Sequence, residues 1–249
     1  MMRIAAICAI CVGVTACAAQ REQAARNDRL ADTHMQLGAA YMQRGQLEVA
    51  GQELEKALAA DPNNTQANNM MALLQVRLKN YERADRHFLK AVERDPGNSE
   101  AQNNYGAFLC ERARYDEAEQ RFRKAIDDPL YKTPELANLN AGLCLMKKPA
   151  PKAAEKYFRA ALALQPRLAQ ALLQMARISY DSGQSFSARA YIQRYFDVAK
   201  ETPETLLLAI NIERALGNRE LLKQYTQRLT AGFPESAEAQ QLKRVRGGR

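Results

Sequence analysis

Histidine is almost absent from this chain: His34 and His87 are the only two in 249 residues. Neither stands near a nucleophile or at a metal-ligand spacing, so the usual catalytic sets find no support and neither a metal nor a cofactor is expected. Glycine-rich phosphate loops are missing, and so are runs of strand-forming residues. No apolar run reaches the ~20 residues of a permanent transmembrane helix. Basic residues exceed acidic ones, 36 to 28. They alternate with acids along helix faces, as in Glu111-Arg112-Ala113-Arg114, and no aromatic-basic stripe accompanies them, so nucleic acid is not an expected partner. The clearest basic run, Lys243 to Arg249, closes a basic tail over residues 237–249; the run itself is expected to be a frayed end, with a weak contact to anionic surfaces as the alternative.

What the chain does have is a period. Ala50, Leu54, Ala57 and Pro62 are followed by Ala84, Phe88, Ala91 and Pro96, then by Ala118, Phe122 and Ala125, then by Ala154, Phe158, Ala161 and Pro166. A helical period of 34 residues is the signature of tetratricopeptide (TPR) repeats, whose work is to hold other proteins. The predicted fold is all-α: a TPR superhelical solenoid of about six helix-turn-helix repeats over residues 31–236, starting near residues 31, 65, 99, 135, 169 and 203. Position 8 of each first helix is small in the early repeats (Gly38, Ala72, Gly106, Gly142), which lets a neighbouring helix approach closely. Gly45, Gly183 and Gly217 fall at position 15, a turn that needs a left-handed residue. Only the third repeat is longer, by two residues within 127–134. Repeats five and six are weaker, with Tyr195, Ile210 and Leu229 in place of small residues, as terminal repeats often are.

The first residues read as a leader rather than as fold. Arg3 precedes the apolar stretch Ile4 to Val14, and then comes Val14-Thr15-Ala16-Cys17. The last four residues resemble a bacterial lipobox. That makes residues 1–16 a signal peptide, Cys17 the lipidated first residue, and residues 17–30 a polar tether or a frayed first helix. Acyl chains on one cysteine anchor a soluble domain at ~0.8 kcal/mol per buried methylene. An ordinary signal peptide that leaves Cys17 free is the alternative. Ala18 after the cysteine implies sorting to the outer membrane, with the domain facing the periplasm. Losing residues 1–16 removes one arginine and no acid, so the net charge falls from +8 to +7.

Cys110 and Cys144 are the other cysteines beyond the leader. They occupy positions 12 and 10 of successive first helices, and two positions are about 200° apart around a helix axis. That offset, created by the insertion, lets the two face one another as a disulfide; two small buried thiols are the alternative. In a TPR solenoid, positions 2, 5, 9, 12 and 13 of the first helices line the concave surface. The expected partner-binding groove therefore contains Met35 and Met42, then Asn69, Leu73 and Val76, then Asn103 and Ala107. Asn69 and Asn103 share position 5, so they either form a ladder for an extended peptide backbone or satisfy neighbouring helix ends. The apolar positions suit a hydrophobic partner segment.

With the lipobox and the six repeats, the segment Asn103-Asn104-Tyr105-Gly106-Ala107-Phe108-Leu109-Cys110 resembles the type IV pilus biogenesis lipoproteins of the PilF or PilW family. The resemblance continues through Tyr115-Asp116-Glu117-Ala118, through Asp128 to Pro134, and through Asn140-Ala141-Gly142-Leu143-Cys144. It implies a non-enzymatic outer-membrane lipoprotein, a pilotin that binds the pilus secretin and promotes its localisation and multimerisation. It also implies partner contacts through the N-terminal repeats, around Met35 to Arg77, and it supports the Cys110–Cys144 bridge. A TPR envelope scaffold regulating cell-wall synthases or hydrolases is the alternative function.

Overall fold

Alanine, leucine, glutamine, glutamate and arginine dominate the chain between its Asp-Pro and glycine breaks, and these are strong helix formers. The computed structural model describes residues 2–148 and 150–247, with side chains described for residues 20–148, 150–242 and 244. Among the described residues there are thirteen helices and no strand. They are α1 (Met2–Gln43), α2 (Leu47–Ala60), α3 (Thr65–Arg77), α4 (Tyr81–Arg94), α5 (Ser99–Glu111), α6 (Tyr115–Ile126), α7 (Pro134–Lys147), α8 (Pro151–Leu164), α9 (Ala169–Asp181), α10 (Ser185–Phe196), α11 (Pro203–Ala215), α12 (Arg219–Gly232) and α13 (Ala237–Gly247). The chain divides into two units, Met1–Pro129 and Leu130–Arg249.

Each helical pair is locked by a size match. In the first unit, Gly38 of α1 faces Leu54 of α2, and Gly106 of α5 faces Phe122 of α6. A Cβ on Gly38 would lie 2.7 Å from Leu54 Cγ, and one on Gly106 would lie 2.8 Å from Phe122 Cε1. The same contact recurs in the second unit, where a Cβ on Gly142 would lie 2.6 Å from Phe158 Cε1. These distances are below van der Waals contact, so the large side chain occupies the place a Cβ would take and rests on bare backbone. Position 24 is thus filled by a large side chain that reaches onto position 8. Repeat six reverses the sizes: Ile210 stands at position 8 and Thr226 at position 24, and both are buried.

The turns are held by short-range chemistry. Position 15 has a left-handed backbone at Gly45, Gly183 and Gly217, but also at Lys79 and Ala113, with φ of 61° and 59°. The Asp-Pro breaks cap the helix that follows. Asn64 and Asn98 accept hydrogen bonds from the backbone N–H groups of Ala67 and Ala101 at 2.8 and 3.0 Å. One turn later, the amides of Asn68 and Gln102 donate to the carbonyls of Pro62 and Pro96 at 3.1 and 3.0 Å. In α11 the cap is a reciprocal box between Thr202 and Thr205.

Two ends differ from the sequence expectation. Residues 20–30, expected as a tether or frayed helix, run as regular helix within α1, since they contain no glycine or proline. All but Asn27 are exposed, and close packing begins at Ala31. The signal peptide and Cys17 lie outside the described side chains. At the other end, the first part of the expected basic tail is not a loose segment: α13 buries Ala239 and Leu242 in the core of the second unit. Ala239 and Leu242 are three apart and share one helix face, which explains why a mostly polar segment docks. Within that unit Arg189 of α10 holds the fully buried Glu213 of α11 through a two-pronged ion pair, with Nε to Oε1 at 2.8 Å. The buried carboxylate is thereby compensated.

The size match predicts a paired outcome. Gly106→Ala should destabilise the protein by about 1–3 kcal/mol through overpacking against Phe122. Phe122→Leu in the same chain should recover part of that loss, seen as a non-additive pair in thermal or urea unfolding.

Candidate protein-interaction site

In the first unit, three successive helices leave a gap that no side chain fills. Leu73 and Val76 of α3, Tyr81 and Phe88 of α4, and Asn104, Ala107, Phe108 and Glu111 of α5, with Arg112 after it, line a cleft of about 410 Å³. Ala107, with only a methyl group, leaves the space, and Phe88 forms the floor. Phe88 stacks on Tyr105 and packs on Phe108, each with ring centroids 5.4 Å apart, so aromatic packing joins the second repeat to the third.

Polar groups around the aromatic cluster are paired. The Tyr105 hydroxyl donates to Asp85 Oδ1 at 2.9 Å. Burial, with Asp85 adding, pushes that phenol up to about 12. Arg114 donates to both oxygens of Asp85 at 3.0 and 3.1 Å, and to Glu117 at 2.7 Å. The hydrogen bond from Arg114 holds the Glu117 carboxyl below its ordinary range. Asp85 and Arg114 are half-buried and Glu117 is exposed, so solvent screens these ion pairs and they orient the α4–α6 surface more than they stabilise it. Arg112 lies with its guanidinium 4.4 Å above the Tyr81 ring, at the mouth of the cleft.

Of the residues expected in the groove, the structure brings three together. Leu73, Val76 and Ala107 line the cleft and remain partly exposed. Met35 and Met42 do not: both are buried in the first core cluster beside Ala50, Leu54 and Met71. They point inward because α1 and α3 both pack there, and a methionine fills the irregular gap. Asn69 and Asn103 are buried as well, 3% and 8% exposed, and do not offer an open ladder. Asn69 Oδ1 instead accepts from Asn104 Nδ2 at 3.3 Å, so the polar step runs between positions 5 and 6. Arg77 donates to the Met42 carbonyl at 2.7 Å and satisfies the end of α1. Reading the first helices alone missed Tyr81, Phe88 and Arg112, which come from the second helix and from the turn. Cys110 and Cys144 are each buried, one in α5 of the first unit and one in α7 of the second.

The two histidines, which look unrelated in sequence, occupy opposite ends of one recurring contact between positions 4 and 23. His34 Nδ1 meets Glu53 Oε2 at 2.6 Å in the first repeat. His87 Nδ1 meets Asn68 Oδ1 at 3.0 Å in the second, with the histidine on the other helix. Asn68 Nδ2 already donates to the Pro62 and Asn64 carbonyls, so its Oδ1 is the acceptor and His87 donates from Nδ1.

Tetratricopeptide-repeat family models match residues 31–64, 65–98, 87–120 and 109–169. The chain is 31% identical to the type IV pilus assembly protein PilF of Pseudomonas aeruginosa over 246 residues, covering 97% of this chain and 98% of that one. The solved structure of Pseudomonas aeruginosa PilF superposes with a TM-score of 0.80 at 32% identity, covering 88% of this chain and 99% of the other. That of PilW, described as a widely conserved type IV pilus biogenesis factor, superposes with a TM-score of 0.75 at 35% identity, covering 86% and 99%.

His87 predicts an acid-side loss of stability. Burial first, then Arg83, Lys90 and Arg86, holds its imidazole below the ordinary 6.5. The unfolded chain therefore takes up this proton more readily than the folded one. The contribution of His87 is complete above about pH 6.5 and falls as pH drops below it. His87→Gln keeps a donor for Asn68 and cannot titrate. Its stability difference between about pH 7.5 and pH 5.5 in urea unfolding should be smaller than that of the parent.

Proposed function

This chain belongs to the family of TPR type IV pilus assembly proteins represented by PilF and PilW, and on that premise we propose that it is an outer-membrane lipoprotein that binds the pilus secretin. In this reading it promotes the localisation and multimerisation of the secretin and acts as a holder, not as an enzyme. The observation that carries the proposal is the likeness along 97% of the chain, including both structural units.

The parts divide the work. Cys17, after Val14-Thr15-Ala16, is the acylated anchor that faces the domain to the periplasm. Acyl chains worth ~0.8 kcal/mol per buried methylene hold it stably. The helical run through residues 20–30 sets the repeats off from the lipid surface. The cleft of α3, α4 and α5, lined by Leu73, Val76 and Ala107, is where a secretin segment docks: it combines partly exposed apolar side chains with a few fixed polar groups. Cys110 and Cys144 form a disulfide in the oxidising periplasm, and closing a loop of that length contributes about 3–4 kcal/mol.

Two outcomes are expected in the source bacterium. Deleting the gene should reduce SDS-resistant secretin multimers and surface motility, and Cys17→Ala should leave the secretin mislocalised; normal multimers in the deletion strain would reject the role. Mass spectrometry of the unreduced protein after thiol trapping should find Cys110 and Cys144 linked, whereas two trapped thiols would remove the bridge.

A further inference from the structure

We propose that the cleft of α3, α4 and α5 and a polar hollow beside it form one composite site. Its ligand is a peptide segment that carries a bulky apolar side chain with a carboxylate next to it. The inference rests on the protein-holding role above and adds the chemistry of the held segment.

The hollow, about 440 Å³, is lined by Lys79, Asn80, Tyr81, Glu82, Arg83 and Arg112. It shares Tyr81 and Arg112 with the apolar cleft, so the stacked pair marks the border between an apolar and a charged compartment. Lys79, Arg83 and Arg112 outnumber the single acid Glu82 in the hollow. None of the three pairs with a carboxylate among the described residues, whereas Arg114 is held by Asp85 and Glu117, and Arg159 by Glu155. Stacked on Tyr81, Arg112 keeps the donor edge of its guanidinium available for a carboxylate.

Two further features favour a peptide over a lipid. Asn104 spends its amide N–H on Asn69, which leaves Oδ1 on the cleft wall as an acceptor without a partner among the described residues. A peptide N–H satisfies it and an acyl chain does not. The cleft volume suits one or two side chains.

The test uses the full-length protein in detergent and a fluorescein-labelled octapeptide of glycine and serine bearing one phenylalanine followed by two aspartates. Twins carry lysines for the aspartates or serine for the phenylalanine. In fluorescence anisotropy at low salt the parent peptide should bind at least about fivefold more tightly than either twin, and the margin over the lysine twin should shrink at high salt. Arg83→Gln with Arg112→Gln should erase the preference for aspartate, and Ala107→Gln, which fills the cleft, should weaken the phenylalanine peptides, with circular dichroism melts reporting that both variants fold. Equal binding of all three peptides, or stronger displacement by dihexanoylphosphatidylglycerol than by unlabelled peptide, would overturn the proposal. If the peptide preference is found but deleting the gene leaves secretin multimers normal, the site stands and the pilus reading falls. If no peptide binds while gene deletion still abolishes the multimers, the site falls and the pilus reading stands.

Discussion

The close seating of a large side chain against a bare stretch of helix governs this molecule. Where Gly38, Gly106 and Gly142 leave no Cβ, the side chains of Leu54, Phe122 and Phe158 fill the space and rest directly on the backbone of the facing helix. Dispersion and burial then act over whole helix faces, because the interior packs at crystal-like density. In repeat six the larger residue, Ile210, stands at position 8 and Thr226 at position 24, and both are buried.

The same position that fixes the pair also shapes the binding surface. Phe88 stands at position 24 of the second repeat, fully buried against its own pair, yet it also floors the cleft and stacks on Tyr105 and Phe108 of the next repeat. Changing Phe88 would therefore disturb fold and cleft together, while Ala107 and Arg112 touch only the opening. A solenoid separates these roles by position: small and large residues between helices set the spacing, and the residues left at the rim set the partner.

Much of this was legible in sequence because the repeat supplies several independent readings of each position. The helix starts at Thr65 and Ser99 follow the Asp-Pro breaks and Asn caps before them, that at Pro203 follows Thr202, and that at Ala169 comes three residues after Pro166. The cleft was only half legible. Leu73, Val76 and Ala107 came from groove positions of the first helices, but Tyr81 and Arg112 come from the turn and second-helix side. Their meeting depends on how a flat ring and a guanidinium stack, which no spacing encodes. Met35 and Met42 carried no sign of whether they faced in or out, since methionine suits both a groove and an irregular core. Asn69 was misread because its partner is Asn104, one position away from the expected ladder with Asn103. The docking of α13 turned on two apolar residues, Ala239 and Leu242, just ahead of the basic run that drew attention to the tail.

Function here comes down to whether the repeats hold the secretin directly, and to which part of the surface does so. In-cell photocrosslinking answers both at once, with a photoreactive amino acid placed at Ala107 inside the cleft and, separately, at Gln227 on α12 of the second unit. The account predicts a secretin adduct from position 107 and none from position 227. Secretin captured only from position 227, or an adduct at position 107 that contains no secretin, would contradict it.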